Sequence, residues 1–303
     1  MLKYYGDART SIVRKVAVLA FFTASISLAI GCSRPLELPA TPLYDFGLPG
    51  TATGLSEAEA RAALLGHYAH YDVVAYEDGS TKTPMKTFVI SYGFTDFVER
   101  DGKIFQIDRF VHASNKINQR GVESSFSDAA TAAIEPRVQE VRLYEEGGAW
   151  KLYRPESPVL LGIGGDPSKP LSRDHEDPLL LDPDGDGHPG VTVKIDIGGF
   201  LKGKLYITRR EIYRDYLSLY PDGRWIGHVE DLSEQFVVGA NMKILQQDSN
   251  NRQIPDPGLN PLVLVRVPES VSTWKDLESL RDALFPPEPV FVDGSDTSDG
   301  KKR

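Results

Sequence analysis

Three carboxylates at alternate positions, Asp182, Asp184 and Asp186, run into Gly187, His188, Pro189 and Gly190. In a tight turn this spacing brings side-chain oxygens toward one point, which is what a hard cation such as Ca2+ asks of its ligands. Gly187 takes the sixth place of the run, where the backbone needs a positive φ. The carbonyl of His188 falls at the seventh, a place for a backbone oxygen ligand. Val193 stands at the twelfth, where a helix-flanked calcium loop closes with a bidentate glutamate. The missing ligands must therefore come from Asp174, Glu176, Asp177 or Asp196, or from water. With three certain carboxylates the expected affinity lies in the roughly 0.1–1 mM class of extracellular modules. Ca2+ is the expected cofactor, in the role of pinning a long loop. The bland alternative is an Asp-Gly turn satisfied by its own backbone bonds.

Other chemistry is sparse. His67 and His70 are spaced i, i+3, but no Glu completes His-Glu-x-x-His, and the tyrosines and valines that follow read as a strand. Gly162-Ile-Gly-Gly-Asp-Pro167 lacks the Gly-Lys-Ser/Thr of a phosphate loop, and no Gly-x-Ser-x-Gly occurs. The single cysteine, Cys32, excludes an intrachain disulfide framework and a cysteine-based zinc site. A non-enzymatic protein is expected. The alternative is a surface hydrolase whose carboxylate pair is assembled from distant strands.

The 303 residues carry 34 basic and 43 acidic side chains, a formal charge of -9, which disfavours nucleic acid as a partner. Lys3, Arg9, Arg14 and Lys15 precede the apolar run 16–30, and Gly31-Cys32 follows it. A basic region and an apolar stretch of this length make a secretory signal, too short for a comfortable membrane span. The segment resembles a bacterial lipoprotein signal, which implies cleavage before Cys32 and acylation of its thiol. Ser33 in place of Asp then implies sorting to the outer membrane, so the expected address is the cell envelope, with the membrane as partner through an N-terminal lipid. The Asp loop resembles the calcium loops of thrombospondin type 3 and dockerin repeats, in one copy. As a whole the layout resembles uncharacterised proteobacterial lipoproteins.

The elements that position these groups are mostly strands. Residues 32–54, rich in Pro and Gly, read as a tether; Ser56 with Glu59 starts a short helix over 56–66. Phe88, Ile90, Tyr92 and Phe94 alternate with small or polar residues, so 86–98 is a strand. Asp101-Gly102 turns it into a partner over 104–112. Hairpins follow at 138–144 with 149–153, and at 213–220 with 224–229, with further strands at 191–197, 203–209, 236–245 and 262–267. The stretch 155–190, holding the Asp loop, divides two β-rich halves. Thr273 or Ser272 caps a second helix, and 286–303 reads as a disordered acidic tail. The expected fold is mainly β: an antiparallel barrel, lipocalin-like, or a sandwich, with two short helices over 55–285. A small apolar ligand held in a cavity lined by Phe88, Ile90, Tyr92 and Phe94, or a protein partner, is the expected function.

Overall fold

A computed structural model describes residues 34–50, 54–80, 84–126, 131, 134–246 and 250–294. It is mainly β, built on a closed eight-stranded antiparallel barrel with added strands and two short helices. The barrel strands are β1 (Gly66–Asp78), β2 (Met85–Arg100), β3 (Lys103–Ile117), β5 (Arg137–Glu146), β6 (Ala149–Arg154), β10 (Tyr213–Leu219), β11 (Trp225–Asp231) and β14 (Pro261–Arg266). Each pairs with the next in chain order, β14 returns to β1, and β5 pairs with β3, so the barrel is an up-and-down meander.

Three insertions interrupt that meander. The first supplies β4 (Val122–Phe126), the second β7 (Val159–Leu161), β8 (Val191–Ile197) and β9 (Leu201–Glu211), and the third β12 (Glu234–Ala240) and β13 (Asn251–Gln253). β12, β9, β8 and β4 pair in that order and join the barrel at Ser114 of β3. The two halves of β3 therefore serve different parts of one continuous sheet: residues 104–108 pair with β5, while Ser114 meets β4. These four strands make a second wall beside the barrel.

Local rules explain the individual elements. The β2–β3 turn places Asp101 at φ 51° and Gly102 at φ 76°, the positive-φ pair of a two-residue hairpin turn. The β5–β6 turn needs only Gly147 and Gly148, at φ 62° and 77°, so Glu145 and Glu146 belong to the strand. Helix α1 (Glu57–Leu64) carries the Ser56–Glu59 capping box, and α2 (Trp274–Leu284) a matching one between Thr273 and Asp276. The expected strand over 236–245 ends earlier, at Ala240: its pairing with β9 slips between Val237 and Gly239, and a 3-10 turn takes over at Lys243–Leu245. The polar stretch 115–133 holds the end of β3 and all of β4.

Side chains that point into the barrel form layers. Ala60 and Leu64 of α1 join Tyr68, Phe97, Trp150, Leu217, Trp225 and Leu262 to fill one end. The opposite face of β1 and β2 is also buried. Phe88, Ile90, Tyr92 and Phe94, with Tyr71 and Val263, pack under Leu277 and Phe285, and Tyr44 and Phe46 lie against them. The segment 34–50 is thus folded onto the barrel, although its composition predicts a tether. The start of the acidic tail is likewise placed: Phe291 stacks on Phe88 at 4.7 Å, and Val292 bridges to Glu37. No helix among the described residues is long and apolar enough to cross a membrane.

Candidate functional site

The middle of the barrel is ionic. His70 and Asp72 of β1, Thr95 of β2, Gln106 and Asp108 of β3, Arg154 of β6 and Asp215 of β10 are all buried. Arg154 grips Asp215 with two bonds, Nε to Oδ2 at 2.5 Å and Nη2 to Oδ1 at 2.9 Å. The Gln106 amide donates to Asp215 at 3.0 Å and to both oxygens of Asp108, at 3.1 and 3.0 Å. Thr95 donates its hydroxyl to Asp108 at 2.7 Å. That proton is committed, so the Thr95 oxygen, 2.9 Å from His70 Nδ1, accepts from the imidazole. His70 Nε2 meets Asp72 Oδ2 at 2.8 Å. An acceptor beside each ring nitrogen favours the imidazolium. Burial alone would lower the His70 pKa, but its bond to Asp72 and the charges of Asp72, Asp108 and Asp215 outweigh burial and raise it. For Asp215 burial pushes upward, while Arg154 and Gln106 hold the carboxyl below its ordinary value.

Toward the second wall lies another set of charges. Arg137 of β5 bonds to Glu211 at the end of β9, and its guanidinium sits 4.4 Å from the centre of the Tyr213 ring. Arg209 Nε lies 3.4 Å from Glu211 Oε1, and its Nη2 lies 3.7 Å from Asp231 Oδ2. Tyr76 donates its hydroxyl to Asp231. Burial raises the Asp231 carboxyl despite Arg209 and its bonds to Ser233 and Tyr76, and drives the Tyr76 phenol well above its usual value.

Arg137, Arg209, Glu211 and Tyr213 form the polar end of a cavity of about 60 Å³ between the barrel and the second wall. Val74, Val89, Phe110, Phe126, Leu161 and Val191 supply the apolar sides. A smaller space of about 30 Å³ continues inward to His70, Asp108, Arg154 and Asp215. The cavity residues of β1 and β2 are Val74, Tyr76, Val89 and Ser91, the face opposite to Phe88, Ile90, Tyr92 and Phe94. The period of two was legible; which face looks inward was not. His67 and His70 also part company. Residues i and i+3 of a strand point to opposite faces, so His67 bonds outward to Asp96 and to the Val271 carbonyl.

The Asp loop is brought together as its spacing predicts: one oxygen from each of Asp182, Asp184 and Asp186 lies within 4.8 Å of the others. Asp182 accepts the amides of Asp186 at 3.1 Å and Gly187 at 2.8 Å. Asp184 Oδ2 accepts from Thr192 N at 2.9 Å. Asp186 takes Thr192 Oγ1 at 2.9 Å and Lys204 Nζ at 3.0 Å. Partial burial pushes the Asp186 carboxyl up, but the bonds from Lys204, Thr192 and His188 hold it below its ordinary value. Asp184 Oδ1 is hidden from solvent and has no hydrogen-bond donor. The His188 ring stacks on Tyr206 at 4.2 Å. Asp174, Glu176, Asp177 and Asp196 do not join the triplet. Asp174 accepts the Glu176 amide, Asp177 the Leu179 amide, and Asp196 the Gly199 amide beside Lys202. Cys32 lies outside the described residues.

Fold and site together define a filled meander barrel with a charged heart and a small cavity at its side. Compared with known proteins, the chain matches no family model, no curated protein and no solved structure.

Proposed function

We propose that this chain is a lipid-anchored envelope protein whose barrel takes a small ligand with an apolar body, and whose Asp182–Gly190 loop holds Ca2+ as a structural staple. The observation that carries the ligand reading is the cavity of about 60 Å³, with apolar sides and a polar end fixed by buried side chains. Its size limits the bound part to a handful of non-hydrogen atoms. A thermal-shift screen of small amphiphiles tests this on the purified full chain, against the cavity-filling variant Val89→Phe. Stabilisation of the wild type and none of the variant is expected; equal shifts in both would place binding elsewhere.

For the loop, Asp184 Oδ1 is the supporting atom, since a shielded carboxylate oxygen without a donor is costly unless a cation neutralises it. The anchor rests on the basic, apolar and Gly31-Cys32 sequence of the leader. Globomycin-sensitive processing that disappears in Cys32→Ala is the expected behaviour, and an unchanged membrane-bound mature species overturns it. Nothing favours the hydrolase alternative: Asp108 and Asp215 meet at Gln106, but Arg154 is bonded to Asp215 and holds its carboxyl below its ordinary value, opposite to what a general acid needs.

A further inference from the structure

The cavity wall has donors to spare. Arg137 is 3% exposed and its Nε has no hydrogen-bond partner, although its Nη2 is occupied by Glu211. Arg209 Nε is also without a hydrogen bond, because its 3.4 Å approach to Glu211 is out of alignment. Both residues line the same cavity. Two guanidiniums there face one carboxylate, Glu211; the next acid, Asp231, lies beside Arg209 and takes the hydroxyl of Tyr76. A buried, unmatched N–H on a cation is among the most costly groups to leave unsatisfied.

We infer that the ligand of this cavity carries a single carboxylate, seated against Arg137 and Arg209, with a short hydrocarbon chain along Val74, Val89 and Val191. This rests on the cavity being a ligand site at all, and it specifies the chemistry of that site. A monoanion supplies the missing acceptors in the geometry that arginine recognises best. The apolar sides accept methylenes, each worth transfer out of water. A dianion would gather excess charge beside Glu211. A long acyl chain exceeds the space.

The test is calorimetry and thermal shift on the full chain with butyrate and hexanoate at neutral pH, set against butanol, butylamine and succinate. The acids should bind about tenfold or more tightly than the alcohol, the factor that one charge-assisted bond supplies, and the amine should not bind. Arg209→Gln should remove that preference while leaving weak binding of the alcohol. Because Arg137→Gln risks misfolding, Val191→Phe serves as the second variant: it keeps every charge and should abolish binding of acid and alcohol alike. If acid and alcohol bind equally, the carboxylate assignment falls and the cavity reading survives. If none of these probes shifts the wild type, both fall.

Discussion

The molecule holds two clusters of acids that differ in almost every respect. Asp182, Asp184 and Asp186 lie within five residues of chain, on a loop, with water at hand. Asp72, Asp108 and Asp215 come from three strands far apart in sequence and are 7%, 3% and 2% exposed. The first cluster is held mainly by the amides of its own turn and by Thr192 and Lys204, at or near the surface. The second is enclosed, and because buried carboxylates need partners it has recruited Arg154, Gln106, Thr95 and a protonated His70. The conspicuous acids are therefore the dispensable ones for folding, and the inconspicuous acids set the charge balance of the core.

Removing a partner from each cluster should break this comparison if it is false. Arg154→Met strips the guanidinium that grips Asp215 with two bonds and leaves the buried charge poorly compensated. A loss of about 3–5 kcal/mol is expected in urea unfolding at neutral pH. Adding Asp215→Leu to the same chain should recover a large part of it, since an apolar replacement of both partners avoids the unpaired charge. A loss below about 1 kcal/mol in the single variant would mean that Asp215 is solvated or protonated.

The loop is bound to the barrel's second wall by backbone, which makes glycine matter more than aspartate there. Gly190 sits at φ 89°, and a Cβ on it would come within 2.7 Å of the Ile207 carbonyl oxygen. A Cβ on Gly162 would meet the same carbonyl oxygen at 2.9 Å. Gly190→Ala should cost about 1–3 kcal/mol through positive-φ strain and the displaced contact with β9. Gly185→Ala, at φ 68° but with open space around its Cβ, should cost less. Denaturant midpoints measured side by side check the order.

His70 gives the buried cluster a pH signature near and above neutrality, whereas the loop's Asp186, held below its ordinary value, responds only on the acid side. Its folded pKa is raised above the unfolded value of about 6.5, so its contribution is complete below that value. The contribution is then lost as pH rises through the folded value, at a slope of at most about 1.4 kcal/mol per pH unit. His70→Gln keeps a donor but no titrating group, and should flatten stability against pH in that upper window. A wild-type profile already flat there would mean that the imidazole is neutral, contrary to its hydrogen bonds with Thr95 and Asp72.

What could be read from the sequence follows the same division. The hairpins at Asp101-Gly102 and Gly147-Gly148, the capped helices and the Asp loop are local, each fixed by a few adjacent residues, and all were legible. The barrel itself was legible as a class, because many short alternating strands separated by turns have few ways to close. The inward face of β2 was not. Phe88, Ile90, Tyr92 and Phe94 are the larger and more apolar face, yet they look outward, because α2 and the segment 34–50 cover them. Polar Ser91 and Thr95 were the better clue: a half-polar face that is nevertheless buried must meet other polar groups. The ionic core needed pairings over long separations, such as Gln106 with Asp215, and no local pattern announces those.

The smallest expected effect concerns the loop's aspartates in the absence of metal. Asp184 contributes one bond, to the Thr192 amide at 2.9 Å, and its other oxygen has no donor. Asp184→Ala should change apo stability by no more than about 1 kcal/mol, since a lost hydrogen bond is balanced by relief of a shielded, unmatched oxygen. Calcium is what would make the residue matter. At ten times Kd, linkage adds about 1.4 kcal/mol to the wild type, a rise of roughly 2–3 °C in Tm for a chain of this size. That rise should vanish in Asp184→Ala and in Asp186→Ala. Asp186 carries an additional opposing effect, because Ca2+ must compete with Lys204 for its Oδ2. Lys204→Met should therefore sharpen calcium affinity, and calorimetry of that variant separates a cation site from a self-satisfied turn. If neither the wild type nor Lys204→Met gives heat at several millimolar Ca2+, the three aspartates are only a turn.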